Sequence, residues 1–259
     1  MTTRGDQILD KPLNKIGGKG LFIKELEVAM QEGRADFAVH SLKDVPMVLP
    51  RGFMLAAMLE REDPRDAFVS TRFDSLAQLP AGAKVGTSSL RRMVNLRRKY
   101  PALAFVSVRG NVGTRLKKME AGECDALILA TAGLNRLGLS GRITCHLSIE
   151  ESLPAPGQAA LGLECRTTAE VEAEILNELD HAPTAVCCSA ERAVSRALGG
   201  SCDVPLAAYA TLDGFEIYLR AWLANPDGSQ FAQTEARGFV DDPERLGSMV
   251  AEQLRKALK

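Results

Sequence analysis

The sequence predicts an α/β fold closed by a small antiparallel α+β domain, and three observations carry that class. Up to about residue 166, short apolar runs alternate with segments of helical period; two helices then follow in succession; finally, strand-like runs joined by tight turns precede a last helix. At 259 residues the chain exceeds one comfortable hydrophobic core, so two or three domains are expected.

The elements follow in order. "KGLFIKELEVAMQEGR" (19–34) reads as a helix and "DFAVHSL" (36–42) as the buried strand after it. Further strand-like runs occupy 53–59, 66–70, 83–87, 103–108 and 125–130, with helical runs "LRRMVNLRRKY", "VGTRLKKMEAGE" and "TAGLNRLG" between several of them. This alternation argues for parallel sheets covered on both faces. "AEVEAEILNEL" places Val171, Ile175, Leu176 and Leu179 on one stripe, and "PTAVCCSAERAVSRAL" opens with a proline suited to a first helical turn. "FEIYLRAWL" alternates strictly, with Phe215, Ile217, Leu219, Ala221 and Leu223 on one face and Trp222 on the other. Hairpin-like "LDG" and "NPDGS" flank it, and a helix over roughly 243–258 turns Leu246, Met249, Val250, Leu254 and Leu258 inward.

Composition excludes several classes. Hydrophobic residues at 46% and charged residues at 25% are ordinary globular values, which argues against disorder. Neither a signal-peptide core nor a run approaching the ~18 apolar residues of a membrane span is present, so a cytoplasmic chain with no membrane partner is expected. A net charge of −1 argues against nucleic acid as a partner. The six cysteines (124, 145, 165, 187, 188 and 202) form no C-x-x-C pair, so no metal site is expected.

Polar clusters stand where open sheets bind ligands, beyond the carboxyl ends of strands. "DFAVHSL" runs directly into Lys43 and Asp44. "AKVGTSSLRR" passes from a strand through Thr87, Ser88 and Ser89 into a helix whose first turn carries Arg91 and Arg92. "FVSVRGNVGTR" repeats the design with Arg109, Asn111, Thr114 and Arg115, and "ATAGLNR" adds Arg136. Lys15 and Lys19 flank a glycine loop before a helix that does not have P-loop spacing. Any single arginine here reads first as a solvated surface charge. Several at strand-to-helix turns predict a small polyanion carrying carboxylates or phosphates.

Asp44 stands alone among these cations. It is either a turn cap or a group that stabilises a cationic intermediate and moves protons. His40, inside an apolar strand, reads as a satisfied core residue. Cys124, Cys145, Cys165, Cys187 and Cys188 sit in or beside apolar runs or within a helix and read as buried thiols. Cys202 differs, because it follows the helix-ending Gly199 and Gly200 on a loop. Structural thiol, nucleophile and attachment point remain open on spacing alone.

The blocks "GGKGLFIKELE", "AVHSLKDVP", "REDPRDAFVS", "VGTSSLRR", "VRGNVGTRL", "ILATAGLNRLG", "LPAPGQAALGLECR", "ERAVSRALGGSC" and "NPDGSQ" resemble, in order and spacing, the hydroxymethylbilane synthase (porphobilinogen deaminase) family from residue 1 to the end. The resemblance implies two α/β domains like those of periplasmic binding proteins facing each other across a cleft, plus a small C-terminal α+β domain with a three-stranded antiparallel sheet. It places the domains at 1–60 with 155–178, at 61–154 and at 179–259. It implies a monomeric transferase of tetrapyrrole (haem) biosynthesis. Such an enzyme joins four porphobilinogen molecules, with loss of ammonia, into linear hydroxymethylbilane on a covalent dipyrromethane cofactor.

Carried over by position, the resemblance makes Cys202 the thioether attachment point and Asp44 the catalytic carboxylate. It gives Lys15, Lys19, Ser41, Lys43, Thr87, Ser89, Arg91, Arg92, Arg109, Arg115 and Arg136 to the acetate and propionate groups of cofactor and growing chain, and places Phe22 near the reacting ring. Each pyrrole brings two carboxylates, which agrees with a crowd of cationic donors, and deamination creates a cationic azafulvene that an anion stabilises.

The sequence departs from the family pattern in two places. The family has roughly forty residues ahead of this Met1, forming an opening strand and helix of the first domain, and their loss would remove core. In "PGQAALG", Ala159 stands where the family usually has the second glycine of Gly-Gln-Gly; a φ > 0 there would strain the backbone. Two rival readings are a non-catalytic binding protein for a small polycarboxylate or phosphate and a cysteine-nucleophile hydrolase or transferase.

Overall fold

The computed structural model describes residues 20–200 and 204–258. In chain order the elements are α1 (Gly20–Gln31), β1 (Phe37–Ser41), β2 (Phe53–Met58), β3 (Asp66–Val69), β4 (Lys84–Gly86), α2 (Leu90–Lys99), β5 (Ala104–Val106), α3 (Val112–Glu120), β6 (Ala126–Ala130), α4 (Thr131–Arg136), β7 (Cys145–His146), β8 (Leu161–Arg166), α5 (Glu170–Asn177), α6 (Ala182–Ala197), β9 (Leu206–Asp213), β10 (Glu216–Ala224), β11 (Phe231–Phe239) and α7 (Pro243–Ala257). The chain divides into two compact units, residues 1–61 with 160–185 and residues 62–159 with 186–259.

In the first unit β8 lies between β1 and β2 and is antiparallel to both, with Val39 opposite Leu163 and Leu163 opposite Ala57. The parallel sheet expected here is therefore replaced by an antiparallel one. The physical reason is that the central strand arrives from far along the chain and runs against its neighbours, a pairing that local alternation does not encode. α1 covers one face through Met30 against Ala38 and Phe53. α5 covers the other, where Leu176 packs with Ala57, Leu163 and Cys165.

The stripe read on α5 also differs. Leu176 is buried, whereas Val171, Ile175 and Leu179 are 66%, 63% and 55% exposed. The inward stripe is Ala169, Ala173 and Leu176, because small side chains let the helix lie close on the sheet.

The second unit holds a five-stranded sheet in the order β5-β4-β6-β3-β7, in which β4 runs parallel to β5 and β6 while β3 runs antiparallel to β6 and β7. One core contains Phe68, Val85, Leu96 and Ile128; a second contains Val69, Leu116, Leu127 and Leu134. Helices thus cover both faces, α2 through Leu96 and α3 and α4 through Leu116 and Leu134.

The C-terminal sheet, in the order β11-β10-β9, is antiparallel throughout. Ile217 and Leu219 pack with Val194 of α6 and Val250 and Leu254 of α7. Gly247 permits this approach, since a Cβ there would lie 2.6 Å from that of Ala193. On the opposite face Trp222 is 3% exposed and packs with Ala207, Ala224 and Val94 of α2, while Phe215 is 83% exposed. Strict alternation assigned these two residues the other way. Phe215 lies in the turn ahead of β10, and α2 covers the face that simple patterning leaves to solvent.

Ala159 has φ 75, the single non-glycine residue of positive φ among the described residues. Left-handed backbone costs a residue with a Cβ about 1–2 kcal/mol. Ala159→Gly is therefore expected to raise stability by roughly 0.5 kcal/mol after the added unfolded-state entropy is subtracted. Ala173→Gly, inside α5, should instead lower it by about 1 kcal/mol. Urea unfolding of both variants checks the contrast, and a destabilised Ala159→Gly would contradict it.

Candidate active site

In the first unit β1 ends at Ser41 and the chain makes one 3-10 turn over Leu42–Asp44. Leu42 and Val45 are buried at 0% and 1% exposure, and the Leu42 N–H donates to the Ala160 carbonyl at 3.0 Å. These two apolar anchors hold Lys43 and Asp44 between them, each half-buried, after an exposed Ser41. Directly behind, His40 is buried, with its Nε2 2.7 Å from Glu164 Oε2. It is the satisfied core histidine expected. The two strands are thereby pinned next to the turn. Glu27 lies close by, and burial, with the Glu164 charge second, raises its carboxyl above the usual range.

In the second unit the parallel strands β5, β4 and β6 are neighbours, so their carboxyl ends emerge side by side. After β4, the Thr87 N–H donates to Val106 O at 2.9 Å and its hydroxyl accepts from the Ser89 N–H. Ser89 caps α2 by accepting from the Arg92 N–H. After β5, Asn111 caps α3, Arg109 is exposed, and Arg115 Nε donates to Gly110 O at 2.7 Å. After β6, Arg136 closes α4 and its Nη2 donates to Ala159 O at 2.6 Å, so the strained residue directs its carbonyl at this arginine.

Arg91 and Arg92 are not surface cations: they are 4% and 6% exposed. Arg91 Nη2 donates to both oxygens of Asp66, at 3.0 and 2.8 Å, and Arg92 Nη2 to Oδ1 at 2.7 Å. Ser152 Oγ donates to Asp66 Oδ2 at 2.7 Å and Gln158 Nε2 to Oδ1 at 2.9 Å. Burial alone pushes the Asp66 carboxyl up. The charges of Arg91 and Arg92 outweigh it and, with their hydrogen bonds, hold the group well below the usual carboxylate range. Arg91 Nε and Arg92 Nε are buried without a partner. Each unpaired buried donor costs about 1–3 kcal/mol, and both are open to a further acceptor.

The structure thus brings Thr87, Ser89, Arg91, Arg92, Arg109, Arg115 and Arg136 to three strand ends of one sheet, and places Ser41, Lys43 and Asp44 in the other unit. Lys15, Lys19 and Cys202 lie outside the described residues, as does the side chain of Phe22, whose backbone belongs to α1. Sequence reading missed Asp66, Ser152 and Gln158. The available signal was an aspartate opening the wholly apolar run "AFV". Cys124, Cys165, Cys187 and Cys188 are buried and Cys145 is half-buried, all outside any disulfide. Burial pushes Cys124, Cys145 and Cys165 up, toward the inert thiol. Among the described residues no group of three His, Cys, Asp or Glu is placed to hold a metal, and no helix is long and apolar enough to cross a membrane. The donor set suits a group rich in carboxylates.

Residues 1–174 match the family model described as porphobilinogen deaminase, dipyromethane cofactor binding domain, and residues 185–256 match the model described as porphobilinogen deaminase, C-terminal domain. The chain is 58% identical over 254 residues to the porphobilinogen deaminase of Thiobacillus denitrificans, covering 98% of this chain and 83% of that one. It is 59% identical over 258 residues to the porphobilinogen deaminase of Ralstonia nicotianae, covering 98% and 77%. Among solved structures it is similar to the methionine-binding protein MetQ, with 13% identity and a TM-score of 0.42 over 59% of this chain and 72% of that one.

The depressed Asp66 carboxyl fixes a pH signature. Its stabilising contribution is complete above the unfolded value near 4 and is lost progressively as pH falls toward the lower folded value. Removing one partner of a buried pair costs about 3–5 kcal/mol. The stability deficit of Asp66→Asn is therefore expected to be flat from about pH 7 to 5 and to shrink below about pH 4. Chemical unfolding across that range measures it; a deficit that grows on acidification would contradict the assignment.

Proposed function

Because the chain belongs to the porphobilinogen deaminase family, we infer that it is a hydroxymethylbilane synthase, a transferase of tetrapyrrole biosynthesis that joins porphobilinogen units into a linear tetrapyrrole. The observation that carries this reading is the match of both family models across most of the chain, together with arginines at three neighbouring strand ends, the donor type that a polycarboxylate requires. We place it in the cytoplasm as a monomer. The three-domain division at 1–60 with 155–178, 61–154 and 179–259 is part of the same reading, and the crossover points at 61/62 and 159/160 support its first boundary.

In this reading the dipyrromethane cofactor, tethered by a thioether at Cys202, supplies the free pyrrole carbon to which substrate is joined. Arg91 and Arg92, each with an unpaired Nε–H, are suited to donate to its carboxylates. Thr87, Ser89, Arg109, Arg115 and Arg136 serve cofactor and growing chain, as do Lys15, Lys19, Ser41 and Lys43. Phe22 packs near the reacting ring. When the C–N bond of porphobilinogen's aminomethyl group breaks and the amine leaves as ammonia, the methylene carbon left on the pyrrole is electron-poor. Asp44 faces this charge as a carboxylate, lowering the energy of the cation, and accepts the proton released when the new carbon–carbon bond forms. Leu42 and Val45 fix that carboxylate's position from below.

Intact-mass measurement of protein made in porphobilinogen-producing cells is expected to show an addition equal to two linked pyrrole units, absent from Cys202→Ala. Asp44→Asn is expected to keep the added mass yet lose at least about a hundredfold in turnover. An unmodified, freely alkylated Cys202 would overturn the reading, and unchanged turnover would remove Asp44 from it.

A further inference from the structure

We propose that Asp66 is a positioning residue for the cofactor's carboxylates: it gathers the Nη ends of Arg91 and Arg92 and leaves the Nε–H edges of both as a paired anion receptor. The inference rests on the synthase reading above. Asp66 opens β3, and because β3 is antiparallel to β6, with Asp66 opposite Ala130, it stands at the strand end from which α4 departs. Its carboxylate, 0% exposed, accepts from both guanidiniums, from Ser152 and from Gln158. Arg91 Nη1 donates further to Leu153 O at 2.5 Å and Arg92 Nη1 to Ile128 O at 3.1 Å.

The Nη ends are thus committed to the protein, and neither Nε has an acceptor. Two arginines, 4% and 6% exposed, against one fully buried aspartate leave a net positive charge, and Ser152 and Gln158 add none. Neutralising one buried arginine would need no second one beside it. The excess charge and the two unpaired donors ask for one further anion, and a pyrrole carboxylate has that chemistry. Both Asp66 oxygens are already taken by donors from Arg91, Arg92, Ser152 and Gln158, so it acts through the arginines.

The test uses full-length protein made without porphobilinogen and then incubated with it, following covalent mass uptake over time and, separately, the thermal midpoint. Wild type is expected to gain two pyrrole units. Asp66→Asn, at a temperature where circular dichroism shows it folded, is expected to load at least about tenfold more slowly, with Asp66→Glu recovering most of the rate. A folded Asp66→Asn that loads at the wild-type rate, with only its midpoint lowered, would overturn the proposal, since that is what a purely structural carboxylate predicts. If Asp66→Asn does not fold, Ser152→Ala decides: it removes one donor to Oδ2 and is expected to slow loading roughly threefold or more at a near-native midpoint, whereas an unchanged rate would overturn the proposal. Wild type that takes up no mass would remove the synthase reading and this inference with it; a loss confined to the variants leaves that reading intact.

Discussion

A carboxylate with no access to water survives as an anion only if the protein supplies every donor that water would have supplied, and Asp66 imposes that demand on the second unit. Its donors come from α2, from residue 152 and from residue 158, segments far apart in sequence. Meeting the demand aligns the start of β3, the first turn of α2 and the stretch that follows β7. A well-packed apolar cluster of the same volume would be at least as stable. The ionic arrangement adds a fixed direction for two guanidiniums, which apolar packing does not provide.

Topology does the rest of the gathering. The order β5-β4-β6 with all three strands parallel places three strand-to-helix turns along one edge, and each turn delivers its own polar groups. Ser89 and Asn111 each use an acceptor oxygen in capping, which leaves the Ser89 O–H as a donor beside the arginines of these turns. In the first unit the same economy appears in miniature: a single turn, pinned by two apolar residues, carries the lysine and the aspartate.

Most of the elements were legible because each announces itself within ten or so residues. The β4, α2, β6 and C-terminal sheet runs are found within a residue or two of where their apolar periods place them. The Lys43–Asp44 turn was legible for the same reason, being continuous with its strand. What escaped was non-local. The direction of β8 depends on partners more than a hundred positions away, as the His40–Glu164 separation shows. Trp222 was misassigned because the helix that buries it precedes it in the chain by five strands, β5 to β9. On α5 the larger residues formed the more obvious stripe, and the smaller ones faced the core. Asp66 looked like an ordinary strand opening, since nothing beside it in sequence reveals that two arginines will arrive.

Glu191 in α6 is fully buried, and its two oxygens accept the backbone N–H groups of Gly157 and Ala210, at 2.7 and 2.8 Å. One side chain therefore joins a segment matched by the cofactor-domain model to a strand matched by the C-terminal model. A chimera that exchanged the C-terminal portion between relatives would have to transplant this glutamate together with loop and strand backbones that present those amides in the same places. Modularity visible in family boundaries thus stops short of the polar interior, where the two portions are written as a single piece.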